Sequence, residues 1–119
     1  MPGGTKRAKS PCEYVISGEW PNAVLEDFLP ARVMQHACRK LDEVMIGMEL
    51  SAKALAELSG VNRQCITNVR RGWAWPDVLT VINLEQALGT MLWPVDDPEY
   101  RAELVARRTA SRELRSATG

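Results

Sequence analysis

Arg63, Gln64, Thr67 and Asn68 recur at the three- and four-residue steps that gather side chains on one face of a helix. Their chemistry is that of reading nucleobases. A guanidinium fork matches the acceptor edge of guanine, and asparagine and glutamine amides match adenine, which offers one donor and one acceptor. From Val61 to Trp75 the chain has no Asp or Glu, while Arg63, Arg70 and Arg71 all fall there. Such a stretch can approach phosphates unopposed. A formal net charge of zero does not prevent this, because charges act over about a Debye length, ~10 Å, rather than as a whole-chain sum.

Those side chains need a helix held at a fixed angle, and the flanking sequence supplies one. Ser51 stands where an N-cap belongs, before a helix over Ala52 to Leu58. Gly60 suits a turn that needs positive φ. Asn62 is a second N-cap, for a helix over Arg63 to Arg71 that ends at Gly72. Ala56 is small enough for a close helix crossing. Leu55, Val61, Ile66 and Val69 are spaced to face the shared core. The pattern predicts a helix-turn-helix over residues 51–71 whose second helix presents its polar N-terminal half to a major groove.

The stretch from Ala31 to Trp93 resembles the Cro and lambda-repressor type of helix-turn-helix, the Xre family. Beyond the turn itself, the resemblance rests on the Arg71-Gly72 pair, on Pro76 just before a fourth helix, and on Ala87-Leu88-Gly89 at that helix's end. It implies an all-α domain of four to five helices that binds double-stranded DNA in the major groove. Ser51, Lys53, Asn62, Arg63, Gln64, Thr67, Asn68, Arg70 and Arg71 form the candidate binding set. Two positions depart from the family pattern. Ala52 stands where a phosphate-clamping glutamine is frequent, with Lys53 next to it as a substitute charge. Arg70 stands where a glutamate is frequent, which favours phosphate binding.

The rest of the chain divides around this unit. Residues 1–30 read as a flexible arm, disordered to residue 13, with an extended piece at Tyr14 to Ile16 and a brief helix over Asn22 to Leu29 closed by Pro30. Residues 31–93 form the DNA-binding domain. It opens on a helix from Ala31 to Gly47, with Val33, Met34, Ala37, Leu41, Val44 and Met45 on its apolar face. Its fourth helix is capped by Asp77, faces the core with Val78, Val81, Ile82, Leu84 and Leu88, and stops at Gly89. Residues 94–119 are a C-terminal helix and tail, started by Asp97-Pro98 and expected to bury Tyr100, Leu104 and Val105 before turning arginine-rich.

Several classes are excluded by what the residues can do. No apolar run approaches the ~20 residues of a membrane span, and Lys6, Arg7 and Lys9 are followed by no apolar stretch, so no secretory signal is expected. Cys12, Cys38 and Cys65 are an odd set without a close pair, read as reduced thiols of a cytoplasmic protein. With the one histidine, His36, they make no zinc spacing, and no metal or cofactor is expected. No nucleophile–base pair or phosphate loop points to an enzyme. Cys65 on the second helix is read as a half-buried filler rather than a redox sensor. Trp73 and Trp75 are read as core caps rather than phosphate braces.

The leading expectation is a transcription regulator, a repressor of bacterial or phage origin, acting as a homodimer on two half-sites. An antitoxin that also grips a toxin through residues 1–30 or 98–119 is the alternative. A protein-interaction module without DNA binding fits less well, because its helix need not stay basic. The resemblance implies a dimer contact after the fourth helix, where Met91, Leu92, Trp93, Tyr100, Leu104 and Val105 offer more apolar surface than a docked tail helix needs.

Overall fold

Apolar residues at three- and four-residue steps make α1, Leu29–Gly47, the element on which the others rest. Met34, Ala37, Cys38, Leu41 and Met45 are buried along it. The computed structural model describes residues 8–95 and 97–118 of the chain. α1 begins two residues earlier than the apolar period suggests, with Pro30 in its first turn rather than closing the preceding segment. A first-turn amide has no helical acceptor, so a proline there loses nothing.

α2 (Ala52–Ser59) and α3 (Arg63–Arg70) follow. Ser51 Oγ accepts from Ala54 N at 3.0 Å, and Asn62 Oδ1 accepts from Gln64 N and Cys65 N at 2.8 and 3.3 Å. Each cap satisfies backbone donors that the helix cannot. Gly60 closes α2 in the left-handed region at φ 76°. A Cβ there would meet nothing within 4 Å, so this glycine is required by the backbone angle alone. Leu55 and Ile66 are fully buried and Leu41 and Leu84 almost so. They join α1, α2, α3 and α4 (Val78–Leu88) in one core. Asp77 caps α4, and the bond from Thr80 N holds its carboxyl below the usual aspartate value. The architecture is all-α, with a helix-turn-helix at 51–71 and a single small hairpin among the described residues.

The hairpin's first strand falls on the extended piece expected at Tyr14 to Ile16, and its second stands in place of the brief helix expected over Asn22 to Leu29. Residues 8–28 are packed. A 3-10 turn over Pro11–Tyr14 leads into β1 (Val15–Ser17), which pairs antiparallel with β2 (Val24–Leu25). Gln35 on α1 is buried because its amide closes two bonds with the Ala23 backbone, at 2.9 and 3.1 Å. Tyr14 and Phe28 stack at 4.5 Å, and Phe28 meets Trp75 edge-on at 6.4 Å. Of Lys6, Arg7 and Lys9, only Lys9 is within the described residues. Lys9 sits over the Tyr14 ring, 4.8 Å from its centre, and pairs with Glu26 at 3.6 Å.

Two helices differ from expectation in what they bury. On α4, Val81, Leu84 and Leu88 face the core, but Val78, Leu79 and Ile82 are 71%, 67% and 43% exposed. The helix is apolar on both sides, so its sequence alone does not distinguish the two. α5 (Pro98–Thr118) touches α1 with its first turns, through Arg32–Glu103 and His36–Asp97 at 3.7 and 3.9 Å. It was expected to bury Leu104 and Val105, and both are exposed, while Leu92, expected as spare surface, is in the core.

Candidate nucleic-acid interface

α3 is amphipathic in a simple way. Ile66 and Val69 point into the core, and Arg63, Gln64, Thr67, Asn68 and Arg71 follow the opposite face at i, i+1, i+4, i+5 and i+8. Arg63, Gln64 and Arg71 are exposed; Thr67 and Asn68 are half-buried. Gln64 Nε2 donates to Asn68 Oδ1 at 2.9 Å. That bond holds the two amides one turn apart in a defined relation. It leaves Gln64 Oε1 as an acceptor and Asn68 Nδ2 as a donor, the complement of an adenine edge in the major groove.

The rest of the candidate set sorts by what each side chain already does. Ser51 and Asn62 spend an oxygen on their caps. Lys53 is exposed in the first turn of α2, and neither it nor Arg63 makes an ion pair among the described residues. Arg71 lies over the Trp73 ring at 5.1 Å and remains exposed. Arg70 differs. Its Nε donates to Asp42 Oδ1 at 2.9 Å, with both side chains about two-thirds covered. The acid-free stretch of sequence is thus not acid-free in space, because α1 brings Asp42 to its edge.

The other residues singled out from sequence are also placed. Cys65 is half-buried on α3. Cys38 is buried against that helix, its Sγ 3.1 Å from the Val69 carbonyl oxygen, and burial pushes its thiol up to about 12. The Trp75 indole donates to the Lys9 carbonyl at 2.7 Å and is not free to brace a phosphate, whereas Trp73 is 52% exposed. His36 is on the flank of α1, beside Asp97.

α3 ends in a way that sequence only half revealed. Gly72, at φ 71°, donates to the Val69 carbonyl and Trp73 N to the Asn68 carbonyl, at 3.1 and 2.9 Å. These are the paired bonds of a Schellman motif, which needs a residue tolerant of positive φ. The Gly72 carbonyl then accepts from Cys12 N at 2.8 Å. Trp20, from the hairpin turn, covers the glycine so closely that a Cβ on it would lie 2.7 Å from Trp20 Cε2.

No family model matches the chain, and no curated protein matches it. Among solved structures, the chain is similar to the restriction-modification controller protein C.AhdI from Aeromonas hydrophila. The two are 28% identical over 50% of this chain and 88% of that one, with a TM-score of 0.45.

Proposed function

We propose that this chain is a sequence-specific double-stranded DNA-binding protein and a transcription regulator, a repressor of bacterial or phage type. It reads base edges with the exposed face of α3, as a homodimer and in the cytoplasm. The observation that carries the reading is the face itself. Arg63, Gln64, Thr67, Asn68 and Arg71 stand together on a helix whose other side is locked into the core. That combination suits a rigid body inserted into a groove. Lys53, Arg71 and the α2 N-terminus at Ser51 supply the phosphate contacts that fix register without reading sequence. A dimer that occupies two half-sites one helical turn apart blocks polymerase by occlusion.

Selection of bound sites from random duplex DNA tests this. The expected result is a two-fold symmetric motif. A pool without enrichment overturns it. Within the motif, Arg63→Ala costs ~1–3 kcal/mol and relaxes preference at one base pair, measured by titrating single-base variants of the site.

Arg70 and Arg71 separate by salt. Arg71→Ala and Lys53→Ala each flatten the slope of log affinity against log salt by about one unit, the signature of a lost phosphate contact. Arg70→Ala leaves that slope alone and lowers thermal stability by up to ~1 kcal/mol, the usual worth of a part-exposed ion pair. A flattened slope in Arg70→Ala would return that residue to the phosphate-binding set.

The uncovered apolar side of α4 also suits an antitoxin that docks a protein partner. A stoichiometric small protein that purifies with the chain from its native host would favour that second reading.

A further inference from the structure

We infer that Trp20 is a positioning residue for the reading helix: the N-terminal hairpin acts as a clamp that fixes the last turn of α3. The inference rests on the DNA-binding reading for its consequence but on separate contacts for its geometry. Asn68 sits at both ends of the argument. Its side chain belongs to the Gln64–Asn68 pair, and its carbonyl receives the Schellman bond from Trp73 N. That motif closes around Gly72, and Gly72 is covered by the Trp20 indole with room for a hydrogen and no more. The hairpin grips the same turn from a second direction through Cys12 N and the Gly72 carbonyl, at 2.8 Å. A third tie, from the Trp75 indole to the Lys9 carbonyl at 2.7 Å, holds the chain just beyond.

The clamp is itself anchored away from α3. The Gln35 amide holds Ala23 to α1 by two bonds, close behind Trp20 in the chain. Trp20 also packs against the core. Its indole N–H is buried without a hydrogen bond of good geometry to the protein, with Cys38 as a polar neighbour. A polar atom left in that state implies that the ring's place is set by shape rather than by its own bonding. Frayed ends are the weak points of short helices, and α3 is short. Asn68 and Arg71 lie in the final turn, so without the clamp two side chains of the reading face lose their fixed position.

The test uses the full chain with Trp20→Ala and with Trp20→Phe, which keeps a ring over Gly72. Amide hydrogen exchange at Arg71, Gly72 and Trp73 is measured beside exchange in α2 and in the middle of α1. The expected result is selective acceleration at the three amides in Trp20→Ala, restored in Trp20→Phe. Affinity for the selected site falls about 10- to 100-fold in Trp20→Ala, as for one or two misplaced base contacts, while affinity for random duplex falls far less and its salt slope flattens by no more than the roughly one unit that Arg71 accounts for. Uniform acceleration throughout the chain, or unchanged exchange at the three amides, overturns the clamp whatever the DNA result. Selective acceleration in a protein whose wild type shows no preferred site supports the clamp and overturns the DNA-binding reading instead. If Trp20→Ala does not fold, Trp20→Leu carries the same comparison with the crossing still filled.

Discussion

Gly72→Ala is expected to destabilise the domain by ~2–5 kcal/mol, well beyond a typical surface substitution. Two costs add. An alanine held at φ 71° in place of glycine loses ~1–2 kcal/mol to the clash of its Cβ with the backbone. The same Cβ falls 2.7, 2.9 and 3.0 Å from three atoms of the Trp20 indole. An indole wedged against the core has no flexible end to swing aside, and overpacking of that kind costs ~1–3 kcal/mol. The two costs separate in a double-mutant cycle. In a Trp20→Ala background the steric cost disappears and the backbone cost remains, so Gly72→Ala becomes less harmful there. Coupling energies of ~0.5–3 kcal/mol are usual for residues in contact, and this pair belongs in the upper part of that range. Denaturant unfolding of the four proteins measures it. Equal effects of Gly72→Ala in both backgrounds would mean that Trp20 does not sit on the glycine.

What was legible in the sequence were features whose causes are local. Ser51, Asn62 and Asp77 cap their helices because a short polar side chain placed before an apolar run has few better uses. Gly60 and Gly72 end helices in the left-handed region for the same kind of reason. The inward set of Leu55, Val61, Ile66 and Val69 follows from period alone. The hairpin was legible only in its extended start at Tyr14 to Ile16, because what orders residues 8–28 lies far along the chain: Gln35 for Ala23, Gly72 for Cys12 and Trp20, Trp75 for Lys9. With those partners out of view, the breakers Ser17, Gly18 and Pro21 look only like the end of the extended piece. Trp20 itself carried one usable signal, as a large ring in a short loop segment that has to cover something. Arg70 shows the opposite error. A contiguous stretch without acids does not make an acid-free surface, because Asp42 comes from another helix.

The largest effect on DNA binding is expected from the outer side of α4. α4 carries apolar side chains on two faces, and only one of them is turned to the core. Val78, Leu79 and Ile82 lie together at i, i+1 and i+4, well exposed, opposite the buried Val81, Leu84 and Leu88. The sequence pointed to the segment after α4 for the dimer contact. Leu92 belongs to the core, Met91, Trp93, Leu104 and Val105 after α4 stay exposed, and α4 itself adds Val78, Leu79 and Ile82 to that apolar surface. In the dimer proposed above, a second copy packed α4 to α4 about a two-fold axis would cover this face on both protomers at once. It also sets two α3 helices in a fixed relation, as reading two half-sites requires. Leu79→Glu with Ile82→Glu places two like charges on each side of that contact. Both side chains are exposed in the single chain, so its melting is expected to change little. Sedimentation shifts from dimer to monomer. Affinity for the intact site falls by at least ~100-fold, because one reading head's contacts, at ~1–3 kcal/mol each, no longer add to the other's. Binding becomes steeply dependent on protein concentration, while the salt slope per protomer is kept. Deletion of residues 95–119 is the contrasting arm. It removes α5 and leaves the dimer. A dimer that survives the α4 charges but is lost with α5 moves the interface to the C-terminal helix. A one-to-one complex of wild-type protein with an intact site, at saturating protein, removes the dimer altogether.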